Sequence, residues 1–213
     1  MVIRRVMEVA GDDIGVIVKM NMHDGFKCGM QRDECLEVAR ELERLGVHAI
    51  VLSAGFVSKA PMQVMRGAMP IRTLAHYMDP RKFWWLKAMV RVFGRMIIPT
   101  VPYKDAYFLE DAREFRKAVS LPLIYVGGMV SRSSIEEVLG SGFAAVQMAR
   151  ALVRDTDFVN KLQSGEVERS ECRHSNYCIG RMYTLEMRCN HCAGELPASL
   201  RKEIDKAEKR WSR

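Results

Sequence analysis

Gly127-Gly128 and Ala149-Arg150 each follow a short apolar run, the pattern expected of an anion site built from two consecutive βα turns. Adjacent glycines let the backbone approach an anion closely and turn bare N–H groups toward it. The arginine adds a guanidinium whose fork of donors matches a phosphate. Together the four residues read as a phosphate cradle. A plainer reading stands beside it, in which the glycines only shape a turn and Arg150 pairs with a surface acid. A second candidate is Lys19, the one charge in the apolar run VIVKMN at 16–21. A cation in a buried strand requires a partner, either a structural carboxylate or a bound anionic ligand. The third group is Cys172, Cys178, Cys189 and Cys192, with His174 and His191 between them. Thiols and imidazoles at this density can hold zinc or an iron–sulfur cluster, or stand as plain thiols without metal. Their spacing is imperfect, because only Cys189 and Cys192 form a CxxC pair. His23, Asp24 and Cys28, in HDGFKCGM, have no third orienting group nearby in sequence, so a solvated loop is expected there.

These groups need strands and helices to place them. From Leu121 to Asp155 the chain reads strand, glycine turn, helix, strand, arginine turn. Residues 122–126 and 144–148 are short apolar runs without polar alternation, as strands buried on both faces should be. The helix between them is expected to start on Ser133 or Ser134, each followed three residues later by Glu136 or Glu137, a capping-box pattern. Upstream, residues 1–10 end a helix stopped by Gly11. Residues 33–45 form another, with Leu36, Ala39, Leu42 and Leu45 on one face and Gly46 as its stop. A strand at 49–52 runs into the small-residue turn Ser53-Ala54-Gly55. A helix at 107–119 turns Phe108, Ala112, Phe115 and Val119 inward, and one at 155–163 closes on Gly165. Residues 56–104 form a long insertion. Its helix, from Asp79-Pro80 to about Arg95, sets Trp85, Met89, Val92, Phe93 and Met96 on one side and Lys87, Arg91 and Arg95 on another. Those charges exclude a membrane span and leave a lid, a subunit contact or a surface-lying helix. Leu200 to Arg213 is a charged helix or frayed end.

With 213 residues, 48% hydrophobic and 28% charged, the chain fits one soluble globular domain with an adequate core. The net charge of +7 permits an anionic cofactor, while nucleic acid is not expected as a partner. Residues 1–10 lack a secretory pattern, so the cytoplasm is the expected compartment. Six cysteines in no evident disulfide framework agree with that. Four βα units are legible, whereas an eight-unit barrel takes about 250 residues.

VGGM followed by a helix, and then AAVQMARALVRDTDFVNKLQSGE, resembles the end of the flavin barrel of the Old Yellow Enzyme family, the NADH:flavin oxidoreductases. MRGAMPI, DAYFLEDAREFRKAV and HSNYC also find counterparts there, and the resemblance runs from about Arg4 to Cys192. It implies an α/β fold that is the C-terminal half of a TIM (β/α)8 barrel, beginning in the helix before strand five. That half barrel would span 1–165, with the helical insertion at 56–104, and a cysteine-containing tail would span 166–213. The resemblance also implies FMN, its phosphate held by Gly127, Gly128, Ala149 and Arg150, with NAD(P)H as electron donor and an activated alkene as small-molecule substrate. Lys19 takes the place of a family cation at the flavin pyrimidine edge, with the catalytic role of steadying the negative charge that builds there. In the 2,4-dienoyl-CoA reductase branch a four-cysteine set carries a 4Fe–4S cluster. Matching this tail to it puts Cys172, Cys178 and Cys189 on ligand positions and Ser175, a poor iron ligand, where the second cysteine belongs. Cys192 or His174 is then the substitute. The family's substrate-anchoring His/His or His/Asn pair and its proton-donating tyrosine match no residue here. Two expectations follow: a flavin oxidoreductase of ene-reductase type, or a non-catalytic half barrel completed by a separate N-terminal half or by a second copy, because open strand edges must be covered.

Overall fold

The computed structural model describes residues 2–56, 65–68, 70–77, 80–97, 100–182, 185–192, 194 and 196–211. Residues 57–64 of the expected insertion, Met69 and Asp79 lie outside the described residues, as do the side chains of Lys87, Arg91 and Arg95. The chain divides into two compact units, residues 1–64 with 104–148, and residues 65–103 with 149–213. Most of the expected insertion thus belongs with the tail, and the segment 149–165 joins them.

The first unit alternates helix and strand: α1 (Val2–Ala10), β1 (Ile17–Asn21), α2 (Arg32–Arg44), β2 (Ala49–Ser53), α5 (Leu109–Ala118), β3 (Leu123–Val126), α6 (Arg132–Gly140) and β4 (Ala145–Gln147). The intervening α3 (Ile71–Tyr77) and α4 (Pro80–Ile97) belong to the second unit. Every strand pair is parallel, in the order β1-β2-β3-β4, and this mixed α/β sheet is compatible with half of a barrel. Period-two alternation decides what each strand buries. Ile50, Leu52, Leu123 and Tyr125 are fully buried and share a core with Cys35, Ala39 and Leu42 of α2, Ala112 and Phe115 of α5, and Val138 of α6. The opposite face carries Lys19, Val51 and Ile124 in one row across the register, and Val126 beside Gln147 in the next.

That face corrects one expectation. The strands were read as buried on both sides, yet Ile17 is 56% exposed, Lys19 and Gln147 are exposed, and Val51, Ile124 and Val126 are only half-buried. The helices of this unit cover one side only, so Lys19 keeps its hydration and does not require a buried counter-ion. The cap of α6 is a second correction. Its N-cap is Ser131, which accepts from Ser134 N, and the reciprocal partner is the Ser134 hydroxyl instead of a glutamate. The Ser134 hydroxyl accepts from Ser131 N at 3.3 Å, the bond that a glutamate at the third helical position ordinarily makes.

The second unit is helical: α3, α4, α7 (Arg150–Arg154), α8 (Phe158–Ser164), α9 (Tyr177–Arg181), a 3-10 turn at Asn190–Cys192, and α10 (Ala198–Trp211). Leu200, Ile204 and Glu208 recur every four residues along α10 and are buried. Glu203 reaches from α10 to the start of α3, accepting from Arg72 N (3.0 Å), Thr73 N (3.0 Å) and Thr73 Oγ1 (3.3 Å). A carboxylate there satisfies two orphan amides and meets the positive end of the helix. Gly94 lets α4 approach α3, since a Cβ at that position would lie 2.9 Å from Ile71 Cγ2. Among the described residues, no helix is long and apolar enough to cross a membrane.

Candidate functional site

In the first unit the candidate side chains gather at the carboxyl ends of the parallel strands, where βα proteins place their chemistry. Lys19 Nζ donates to Gln147 Oε1 at 3.4 Å. β1 and β4 are the outer strands of the sheet, so this contact bridges β2 and β3. Gln147 was not singled out in the sequence; it lies two residues before the arginine turn, and its strand position was the available signal. Beside it, Asn21 Nδ2 donates to Asp24 Oδ1 (3.0 Å) and Gly55 O (3.3 Å), joining the loops after β1 and β2. Asp24 also accepts from Met30 N at 2.9 Å. The Asn21 amide, and after it the Met30 N–H, hold the Asp24 carboxyl below its usual range. Asp24 therefore braces the 23–30 loop, and His23 Nε2 lies 3.7 Å from Asp111 Oδ2, a group that sequence proximity did not offer. Cys28 is an exposed free thiol.

The glycine turn after β3 is shaped by its neighbours. Gly127 and Gly128 have φ of 138° and 72°, values open to glycine and strained for other residues. A Cβ on Gly127 would lie 2.7 Å from Phe108 Cδ2, and one on Gly128 2.9 Å from Lys104 O. The space a side chain would take is filled by the 104–108 segment, so packing alone demands both glycines. Tyr125, fully buried, ties the two together: its hydroxyl accepts from Phe108 N (2.9 Å) and donates to Gly127 O (3.0 Å). Ala106 N donates to Gly128 O at 3.3 Å. At the start of α6, Ser131 Oγ donates to Asp105 Oδ2 (2.9 Å), so a carboxylate of the chain already lies beside the first turn.

Ala149 and Arg150 belong to the second unit, where Ala149 is the N-cap position of α7. Arg150 NH1 donates to Asn176 Oδ1 (2.6 Å) and Arg66 O (2.8 Å), and its guanidinium carbon lies 5.9 Å from the centre of the Tyr103 ring. Asn176, buried and left-handed at φ 57°, donates in turn to Met65 O (2.9 Å) and Ala68 O (2.7 Å). Tyr103 stacks on the buried His174 with ring centres 3.3 Å apart. Arg150 is thus the hub of a polar network rather than the partner of a surface acid.

Cys172, Cys178 and Cys189, with His174 and His191, line a cavity of about 20 Å³ in the same unit. Cys172 Sγ lies 3.9 Å from His174 Nδ1. Burial pushes the Cys178 thiol up to about 11, and burial likewise raises Cys189. Cys192 is exposed, and Ser175 is a buried hydroxyl where a further thiol would complete a set. A 4Fe–4S cluster takes four thiolates. Three lining thiols and a cavity with room for about one water do not fit it. Among the described residues no group of three or more histidines, cysteines or acids is arranged to hold a metal ion.

No family model matches the chain. It is 37% identical over 184 residues to a 4,4'-dithiodibutanoate disulfide reductase of Rhodococcus erythropolis, an alignment covering 86% of this chain and 45% of the relative. It is 25% identical over 193 residues to an NADH oxidase of Thermoanaerobacter brockii, covering 88% and 24%. A bilirubin reductase of Mediterraneibacter gnavus matches over 80 residues at 32% identity, covering 37% and 12%. The chain spans less than half the length of these relatives, all of which are named as oxidoreductases.

Proposed function

We propose that the chain is the flavin-holding part of an NAD(P)H-dependent oxidoreductase, with FMN as its cofactor. The observation that carries this reading is the Lys19–Gln147 pair, a donor and an amide on an open sheet face at the carboxyl ends of parallel strands. The 37% identity to a disulfide reductase supports the reaction class. When bound, FMN supplies the two-electron chemistry, accepting hydride from NAD(P)H and delivering it to an activated alkene or, on the analogy of that relative, a disulfide. The residues do the rest. Lys19 sets a cation against the ring edge where negative charge builds, and Gln147 orients it through its amide oxygen. Gly127 and Gly128 offer backbone N–H groups to the phosphate. Ala149 and Arg150 are the other phosphate-holding residues of this reading, the Arg150 guanidinium being fixed in one direction by Asn176 and Arg66 O.

The test is a visible spectrum after incubation with FMN and desalting, followed by NADH without oxygen. Retained flavin that bleaches is the expected result, and Lys19→Met should slow the bleaching about a hundred-fold while the protein stays yellow. Colourless protein after desalting overturns the reading. A second reading, a half barrel acting as the subunit of a larger barrel, is favoured by the exposed Ile17 and the half-buried row opposite the helices. It predicts a colourless protein that turns yellow only with a complementary chain.

A further inference from the structure

We propose that α4 docks this chain on an anionic phospholipid surface, a role separate from the oxidoreductase reading. One side of the helix packs inward, where Gly94 is buried against Ile71 and Val90 is half-buried. The other side exposes Trp84 (71%), Trp85 (56%), Val92 (71%) and Met96 (77%), together with Met89 and Phe93. At about 100° per residue, positions 85, 89, 92, 93 and 96 fall within roughly a third of the circumference. This apolar stripe faces away from the packed side, whereas a helix of a soluble domain ordinarily turns its stripe inward.

Charge selects the occupant. Within Pro80–Ile97 the sequence has Arg81, Lys82, Lys87, Arg91 and Arg95 and no acidic residue, five of the charges behind the chain's net +7. A segment with five cations and no acid in its sequence complements anionic headgroups, the exposed apolar stripe suits the acyl chains beneath them, and tryptophans settle at the headgroup level. A groove of about 680 Å³ beside the helix adds to this, lined by Arg72, His76, Trp84, Ala88, Ser199 and Leu200. It sets a guanidinium and an imidazole next to an apolar wall, as a phospholipid headgroup and its first acyl carbons require. The nearby acid, Glu203, is engaged with the amides at the start of α3. The helix does not qualify as a span, so it would lie in the interface.

Co-sedimentation of the full chain with phosphatidylcholine vesicles, with and without phosphatidylglycerol, tests this. Binding should require the anionic lipid, shift tryptophan emission to the blue and weaken with salt. Removing two charges with Arg91→Gln and Arg95→Gln should lower partitioning roughly 25-fold, about five-fold for each. Trp85→Ser with Val92→Ser should abolish binding while leaving the far-UV circular dichroism unchanged, because both side chains are exposed. Absence of binding, or equal binding to both vesicle types, overturns the proposal. So does a dimer in light scattering that Trp85→Ser with Val92→Ser dissociates, which would assign the face to a second copy.

Discussion

Replacing Tyr125 by phenylalanine removes one oxygen from the fully buried end of β3 and leaves the ring's packing in place. That oxygen accepts from Phe108 N at 2.9 Å and donates to Gly127 O at 3.0 Å. The variant therefore strands a backbone donor and a backbone acceptor, both in the packed seam between the 104–108 segment and the glycine turn. A buried backbone group left without its partner costs about 1–2 kcal/mol, so the pair costs roughly 2–4 kcal/mol, with no cavity contribution. Against a typical total of about 5–15 kcal/mol this is large. Hydrogen exchange read by mass spectrometry isolates it. Peptides covering 104–108 and 123–128 should exchange roughly 30- to 1,000-fold faster in Tyr125→Phe, the same free energy expressed as an opening equilibrium. FMN retention should fall with it if the turn presents its amides to a phosphate. A change in exchange below about three-fold would mean that the hydroxyl is dispensable to the turn and that the two backbone groups find other partners.

Two further outcomes follow from the second unit. Burial lifts Cys178 from its ordinary 9.0 to about 11, with Cys172 adding to the rise, so between those values the unfolded chain has lost a proton that the folded chain keeps. The stability this provides is complete below pH 9.0 and is lost as pH rises through about 11, a fall of about 3 kcal/mol. Urea unfolding should show that fall in the native chain and a flatter profile in Cys178→Ala; parallel profiles would contradict it. Glu203→Ala removes the acceptor for Arg72 N, Thr73 N and Thr73 Oγ1, and should cost about 2 kcal/mol, with Glu203→Gln near half of that. Amide exchange at residues 72 and 73 reads the change directly, and unaltered protection there would count against the cap.

What the sequence disclosed well was whatever depends on local period and punctuation. The helix with Ala39 and Leu42 inward, the one with Phe108, Ala112 and Phe115 inward, and the stop at Gly165 all follow from spacing and from glycine's freedom at positive φ, here 75°. Partner choice was not legible. Lys19 stood out as a lone charge, but its bond to Gln147 joins residues 128 apart and depends on strand order. The short helices α3 and α9 were missed because neither is long enough for a period to register, and the Tyr77–Tyr177 hydroxyl bond of 2.8 Å that links them is a tertiary event.

The glycine turn shows how far a motif's physics leaves its use open. Positive φ at Gly127 and Gly128 is what an anion cradle needs, and also what the approach of Phe108 and Lys104 O needs. Each demand separately excludes a side chain, so the residue type cannot distinguish them. A substitution at the glycines is equally uninformative, because a Cβ would collide with the 104–108 segment whether or not a phosphate binds. Arg150 separates the cases. Its network with Asn176 and Arg66 O persists with an uncharged ligand, but its net charge matters only to an anion. Arg150→Gln should therefore weaken FMN more than riboflavin, which lacks the phosphate, by the 10- to 100-fold that about 1.5–3 kcal/mol of charge-assisted bonding provides. Equal losses for the two flavins would leave Arg150 a purely structural residue and remove the phosphate from this site.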